Sequence, residues 1–191
     1  YDYHTIFGVL SVVIGIVSFL PYFRDIYRGL TKPHPFSWLI WGLLDSTVFV
    51  AQVVKGAGAG SWATAVTLIF TFIIGIISFG RGEKRITALD WWCFAGGILG
   101  IAAWVFTNDP LSAVILVTVT NAAAMIPTMR KSYFRPHEET MSMYALAVLK
   151  WIPALFAMES FTPTNWLFPA SLVFWNAAMV VLLIVRRRQL R

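Results

Sequence analysis

The chain has 191 residues, of which 58% are hydrophobic, 16% aromatic and only 13% charged. A soluble domain usually carries about 25% charged residues, so this composition excludes an ordinary soluble domain. The net charge of +6 does not indicate nucleic-acid binding, because the basic residues form short clusters between long apolar runs. The single cysteine, Cys93, excludes an intrachain disulfide and a multi-cysteine metal site, and the three histidines are scattered. We therefore expect no metal and no cofactor.

The apolar runs predict seven membrane-spanning helices, because one such helix needs about 20 mostly apolar residues. In chain order the predicted spans cover 5–23, 36–54, 62–80, 88–107, 111–131, 140–158 and 165–186. Pro33, Pro110 and Pro136 fall between spans, where a residue without an amide donor interrupts no helix. The expected fold class is an all-α, multi-pass membrane protein.

The lysines and arginines predict the orientation, since these residues are enriched in cytosolic loops. Seven spans place almost all of them on one side, namely Arg24, Arg28, Lys32, Arg81, Lys84, Arg85, Arg130, Lys131, Arg135, Arg186, Arg187, Arg188 and Arg191. Lys55 falls on the other side, and Lys150 lies within a span. We expect no secretory signal, because no basic region stands before the first apolar run. We expect an integral protein of the cell membrane (inner or plasma), with its N-terminus outside and its C-terminus in the cytosol.

Helices 1–3 and 5–7 look like two copies of one unit. The matched pairs are Pro21 and Pro127, Tyr27 and Tyr133, Ser37 and Ser142, Asp45 and Lys150, and Trp62 and Trp166. A three-helix unit starts and ends on opposite faces, so a second copy in the same orientation needs an odd number of linking spans. The sequence thus predicts a first three-helix repeat over 1–87, a linker helix over 88–110 and a second three-helix repeat over 111–191.

This 3+1+3 layout resembles the PQ-loop/SWEET transporter superfamily, which includes sugar facilitators, vitamin carriers and the KDEL receptor. The resemblance lies in Leu20-Pro21 and Ile126-Pro127 near the cytosolic ends of helices 1 and 5, each followed by a basic loop. Tyr22 and Thr128 stand where the family motif has glutamine. The resemblance implies that Pro21 and Pro127 are gating elements. It also implies that the helix 7 pair Trp175-Asn176 holds the solute.

Four polar residues lie near the middle of predicted spans: Asp45, Asn121, Lys150 and Asn176. Polar groups at that depth are costly and are by default functional candidates. A polar layer drawn from both repeats predicts a solute site at the repeat interface. Asp45 and Lys150 either pair across the axis between the repeats or contact the solute directly; a packing ion pair and a snorkelling lysine are the alternatives. The two asparagines could instead hold helices together.

Several aromatic residues have two interpretations. Tyr22, Tyr27 and Tyr133 could close the cytosolic mouth, although interfacial belts also place tyrosines there. Trp41 and Trp104 lie deeper and could line a cavity or simply pack. The remaining tryptophans near span ends are assigned to the belts; these are Trp38, Trp62, Trp91, Trp92 and Trp166.

The leading functional hypothesis is a facilitator that moves a small neutral solute, sugar-like or nucleoside- or vitamin-like, by alternating access. Uniport and proton coupling both stay open, with Asp45 as the natural proton carrier. The alternative is a ligand receptor or sensor on the same fold; a retinal protein is disfavoured because helix 7 has no lysine. No nucleophile–base–acid set indicates an enzyme. The expected partners are the solute and the lipid bilayer, and a homo-oligomer is left open.

Overall fold

The computed structural model describes residues 2–29, 33, 35–81, 88–134, 136–139 and 141–190. The described residues form α-helices and short 3₁₀ helices, without a strand. The α-helices are α1 (Tyr3–Tyr27), α2 (Pro35–Val54), α3 (Trp62–Arg81), α4 (Ala88–Thr107), α5 (Pro110–Phe134), α6 (Met141–Phe156) and α7 (Pro163–Gln189). Two 3₁₀ helices cover Gly58–Ser61 and Pro136–Glu138. The predicted all-helical class is confirmed. The predicted basic residues Lys32, Lys84, Arg85, Arg135 and Arg191 lie outside the described residues.

Each predicted span falls on one α-helix, and most helices run a few residues further than predicted. Three described segments are long and apolar enough to cross a membrane, namely Tyr3–Tyr27, Gly58–Gly80 and Pro163–Gln189. Four shorter apolar helical segments cover Trp38–Val54, Phe94–Thr107, Pro110–Ile126 and Met141–Phe156. Large apolar side chains such as Val13, Ile76 and Phe106 point away from the bundle and are exposed. This surface is compatible with a membrane protein.

Six of the helices form a closed ring. α3 packs against both α1 and α2, and α7 packs against both α5 and α6. The ring closes where α1 packs against α6 and α2 against α5, so its order is α1–α3–α2–α5–α7–α6. α4 packs outside this ring, against α5 and α2. Replacing α1, α2 and α3 by α5, α6 and α7 reproduces every one of these ring contacts.

One end of the bundle, here called the basic end, gathers the C-terminal ends of α1, α3, α5 and α7. Phe19, Ile26, Trp38 and Ile74 form a buried apolar cluster that joins α1, α3 and the start of α2. The described arginines that define this end are Arg24, Arg28, Arg130, Arg186, Arg187 and Arg188. Arg186 Nε donates to the Tyr133 carbonyl at 2.8 Å, which ties α7 to α5. The helices are thus sorted by end as the loop charges predict.

The opposite end is closed by what we call the loop seam, in which residues 57–61 pack on residues 157–165. The Glu159 amide donates to the Ala57 carbonyl at 3.2 Å, and the Glu159 carboxylate accepts from the Ala59 amide at 3.3 Å. The buried Asn165 side chain donates to the carbonyls of Lys55 and Ser160, at 3.1 and 2.7 Å. Hydrogen bonds to backbone groups therefore join the two units at this end.

Candidate functional site

A cavity of about 220 Å³ lies at the centre of the ring. Side chains from all six ring helices line it, and none of the described residues of α4 does. Most of the lining is apolar or aromatic and comes from Phe19, Trp38, Trp41, Leu44, Met125, Met143, Tyr144, Trp151, Phe168, Leu172 and Trp175. The polar lining consists of Asp45, Thr67, Thr71, Asn121, Lys150 and Asn176. The cavity extends toward the basic end, because Trp38, Met143 and Tyr144 lie in the first turns of α2 and α6.

The six residues predicted to bind solute all reach this cavity. They are Trp41, Asp45, Asn121, Lys150, Trp175 and Asn176, and they come from α2, α5, α6 and α7. The sequence places the four polar members, Asp45, Asn121, Lys150 and Asn176, at similar depths in four separate helices. The packing of the ring brings those separate helices around one space.

Lys150 is buried, with 4% of its surface exposed, and its ammonium group lies at the cavity. The Nζ atom donates to Thr67 Oγ1 at 2.9 Å. It also lies 4.3 Å from the ring centroid of Trp151, a distance at which an aromatic face attracts a cation. A Cβ on Gly15 would lie 3.2 Å from Lys150 Cδ, so the glycine lets α1 approach the lysine stem. Hydroxyl and ring contacts therefore stabilise this ammonium group.

Asp45 is also buried, with 7% of its surface exposed. Its Oδ2 atom accepts a hydrogen bond from Thr71 Oγ1 at 3.3 Å. The same hydroxyl lies closer to the Thr67 carbonyl, at 2.8 Å, so its single proton is shared between two acceptors. Hydrogen bonding therefore stabilises the Asp45 carboxylate only weakly. Within the described part of the chain, Thr71 is its single hydrogen-bond donor.

The direct ion pair between Asp45 and Lys150 is not observed. Within the described residues, no carboxylate lies at ion-pair distance from the Lys150 ammonium group, and Asp45 likewise has no cationic partner in contact. Each charge instead contacts a threonine of α3. Thr67 and Thr71 are four residues apart, so they lie on the same face of that helix and both turn toward the cavity.

The two predicted asparagines differ in their hydrogen bonds. Asn176 Nδ2 donates to the Leu172 carbonyl of its own helix at 2.7 Å, so this bond does not join two helices. The Asn121 amide forms no hydrogen bond with any described residue. Both amides line the cavity and keep polar atoms available to a solute.

The predicted gating residues are spread along the basic end. Pro21 lies inside α1, and Pro127 lies within α5, where only its backbone is described. Tyr22 packs on Trp38, with ring centroids 5.2 Å apart, and so reaches the cavity wall through that tryptophan. Tyr133 lies under the Arg186 guanidinium group, 4.0 Å from its ring centroid. Tyr27 is exposed at the end of α1. The structure brings none of these three tyrosines into the cavity lining itself.

The structure contradicts the interpretation of Trp38 and selects one of the two interpretations of Trp104. The assignment of Trp38 to an interfacial belt is wrong, because this side chain is 7% exposed and lines the cavity. α2 begins at Pro35, so the first turn points Trp38 inward, against α1 and α3. Trp104 packs against the buried cluster formed by α2, α5 and α7 and does not line the cavity.

Sequence reasoning missed Thr67, Trp151 and several apolar wall residues, and it did not assign Thr71 to the site. The i, i+4 spacing of Thr67 and Thr71 was the available signal, since it places both hydroxyls on one helix face. Trp151 follows Lys150 directly, and nothing in the local pattern distinguishes its indole from a lipid-facing one.

Eight of the seventeen residues that line the cavity form pairs at equivalent positions of the two units. The alignment matches Pro21 with Pro127 in α1 and α5, Ser37 with Ser142 in α2 and α6, and Trp62 with Trp166 in α3 and α7. Several wall residues then occupy corresponding positions. These pairs are Phe19 and Met125, Trp38 and Met143, Asp45 and Lys150, and Thr71 and Trp175. At these four pairs of positions the two units therefore present different side chains to the central space.

Among the described residues, no three His, Cys, Asp or Glu side chains come together in a group that could hold a metal ion. Comparison of the chain with known protein families, with curated proteins and with solved structures finds no match.

Proposed function

We propose that the chain is a seven-span membrane facilitator that carries a small solute of no net charge between two faces by alternating access. The observation that carries this proposal is the central cavity. Two three-helix units with the same ring contacts enclose it, and corresponding positions of both units line it. Solute sites of transporters built from repeats lie at the repeat interface, near the bilayer midplane.

The outward surface of the bundle supports embedding in a bilayer. Large apolar side chains are exposed along α1, α3, α4 and α5, for example Val13, Ile76, Phe106 and Val119. A helix of 20 residues is about 30 Å long, which matches the hydrocarbon thickness of a bilayer. The described arginines cluster at one end, which we assign to the cytosol.

The two ends of the cavity differ as alternating access requires. The loop seam closes the end that carries Lys55, through backbone hydrogen bonds between the units. The cavity extends toward the basic end through the first turns of α2 and α6. We assign this conformation to a state closed to the outside. The membership in the PQ-loop/SWEET superfamily that the layout suggests is part of the same proposal.

The size of the cavity limits the solute. An apolar cavity of roughly 150 Å³ holds one benzene molecule. A cavity of about 220 Å³ therefore has room for a single ring, or a branched chain of similar size, together with a few polar atoms. A disaccharide exceeds this space in the present conformation.

Flux measurements in proteoliposomes test the proposal. The protein is reconstituted and uptake of radiolabelled monosaccharides, nucleosides, vitamins and amino acids is measured. We expect saturable uptake of at least one solute, and Asn176→Ala should raise its half-saturation concentration roughly threefold to tenfold, as expected for one lost hydrogen bond. Proton coupling is tested on the unaltered protein, since a coupled carrier takes up more solute when an inward proton gradient is imposed.

Ser171→Ala is the matched control for Asn176→Ala. Ser171 lies on the same helix, donates to the Phe168 carbonyl at 2.8 Å and does not line the cavity. Uptake of the solute by the Ser171→Ala variant should equal uptake by the unaltered protein. Specific binding of a solute without flux, in folded protein, would contradict the carrier and favour a receptor.

A further inference from the structure

The charges of the cavity wall narrow the class of solute. Asp45 and Lys150 carry opposite charges, and no other aspartate, glutamate, lysine or arginine among the described residues lines the cavity. The wall is therefore neutral in sum but carries two separate charges. A solute of no net charge matches the net charge of the wall. Only a solute that itself carries one positive and one negative charge can also match the separate positions of the two wall charges.

Among the described residues neither charged group is in salt-bridge contact with another, although Asp45 and Lys150 are close enough to attract each other. Burying a charge is costly unless it is paired and hydrogen-bonded. The Lys150 ammonium group has three N–H donors, and one of them is used, on Thr67 Oγ1. Thr67 donates its own proton to the Ala63 carbonyl at 2.7 Å, so its oxygen is free to accept from the lysine. The remaining lysine donors are left to a ligand.

The Asp45 carboxylate likewise has hydrogen-bonding capacity that is not used. It accepts one long hydrogen bond, from a threonine whose proton lies closer to another acceptor. A carboxylate offers about four acceptor sites, so most of its capacity is unused. An ammonium group is the ligand that satisfies such a carboxylate best, because charge-assisted hydrogen bonds are stronger than neutral ones.

We propose that the solute is a small zwitterion of amino-acid type with an apolar side chain, whose carboxylate binds Lys150 and whose ammonium group binds Asp45. This inference rests on the proposed function, since it names the solute of the same cavity. The apolar side chain follows from the wall, which is largely aromatic, aliphatic and thioether in character. A monosaccharide would bring hydroxyls to both charges and leave each without an opposite charge.

The first arm of the test measures ligand selectivity of the purified, unaltered protein by titration calorimetry. The ligands are L-leucine, N-acetyl-L-leucine, which lacks the ammonium charge, L-leucinamide, which lacks the carboxylate, and D-glucose. We expect leucine to bind, and each single-charge analogue to bind about thirtyfold more weakly or worse, the scale for truncating one side of a buried charge pair. Glucose should not bind. This arm needs no variant and so does not depend on how a substitution folds.

The second arm uses Lys150→Met and Asp45→Asn, with Lys55→Met as the matched control outside the cavity. Lys150→Met should lose leucine and N-acetyl-leucine but keep leucinamide, because Asp45 still binds the ammonium group. Asp45→Asn should lose leucine and leucinamide but keep N-acetyl-leucine. Lys55→Met should give the same result as the unaltered protein with each of the four ligands, since Lys55 lies in the exposed loop after α2.

The outcomes separate this inference from the proposed function. Glucose binding with no leucine binding, or equal affinity for leucine and both single-charge analogues, overturns the zwitterion. Leucine binding with the expected selectivity but without flux in proteoliposomes supports the zwitterion and overturns the carrier. Glucose flux in the absence of leucine binding supports the carrier and overturns the zwitterion.

Discussion

Gly60 and Gly80 illustrate how the surroundings of a single residue decide the effect of adding one methyl group. Gly60 lies in the loop seam, where a Cβ would come within 2.8 Å of the Met158 Cα atom. That neighbour is backbone, so it cannot rotate away. Gly80 lies near the end of α3, and a Cβ there would meet no atom within 4 Å. The seam therefore depends on glycine for close approach, whereas α3 does not.

Gly60→Ala should lower the free energy of unfolding by about 1–3 kcal/mol, the usual cost of overpacking. Gly80→Ala should raise it by about 0.5–1 kcal/mol, because alanine loses less backbone entropy than glycine in a helix. Both are measured by denaturant unfolding of the detergent-solubilised protein. Equal stability of the two variants would contradict the close contact in the seam.

At the scale of elements, the last turn of α7 holds the segment that leads into α6. The Arg187 guanidinium group donates to the Pro136 carbonyl at 2.9 and 3.0 Å, and it also donates to the Glu139 carbonyl. Arginine suits this position because its planar group offers several donors in a fixed geometry. The neighbouring Arg188 is exposed. One arginine of the basic run therefore has a structural role that its charge alone does not reveal.

Arg187→Ala should speed amide exchange in residues 137–139 and lower the free energy of unfolding by about 1–3 kcal/mol, since two buried or half-buried carbonyls lose a charged donor. Hydrogen–deuterium exchange with mass spectrometry measures the first effect and denaturant unfolding the second. Arg188→Ala is the matched control and should change neither. A larger change in amide exchange or in the free energy of unfolding for Arg188→Ala would contradict the role given to Arg187.

At the scale of the whole molecule, the bundle has two chemically different ends. The described arginines lie at the basic end, and the loop seam lies beside Lys55 at the other. Lys55 and Asp109 approach to 3.9 Å at that end, both partly exposed, so this pair contributes little to stability. The asymmetry of charge, rather than any one ion pair, is the feature that predicts orientation.

Single-cysteine reporters measure that orientation in a Cys93→Ser background. Lys55→Cys and Glu159→Cys should react with a membrane-impermeant maleimide on intact cells, because both positions lie at the seam end and are exposed. Arg28→Cys and Arg188→Cys, exposed at the basic end, should react only after permeabilisation. The reverse pattern would place the N-terminus in the cytosol, and reaction of all four in intact cells would contradict a membrane-spanning bundle.

The amino-acid sequence alone is enough to locate the helices and to select the polar residues that line one cavity. Long apolar runs with proline between them leave few alternatives to helices, so each predicted span coincides with a helix. Asp45, Asn121, Lys150 and Asn176 could be selected because a polar group deep in an apolar run is costly wherever the helix packs.

The contacts of those residues, in contrast, follow from how the helices pack. The partner of Lys150 is a hydroxyl on α3 rather than Asp45, and Trp38 faces the cavity rather than an interface. Both outcomes depend on how far each helix is rotated about its own axis and which helix lies beside it. Near-uniform apolarity leaves that rotation weakly specified in the sequence, because a helix that is hydrophobic on all sides has no distinct inward face.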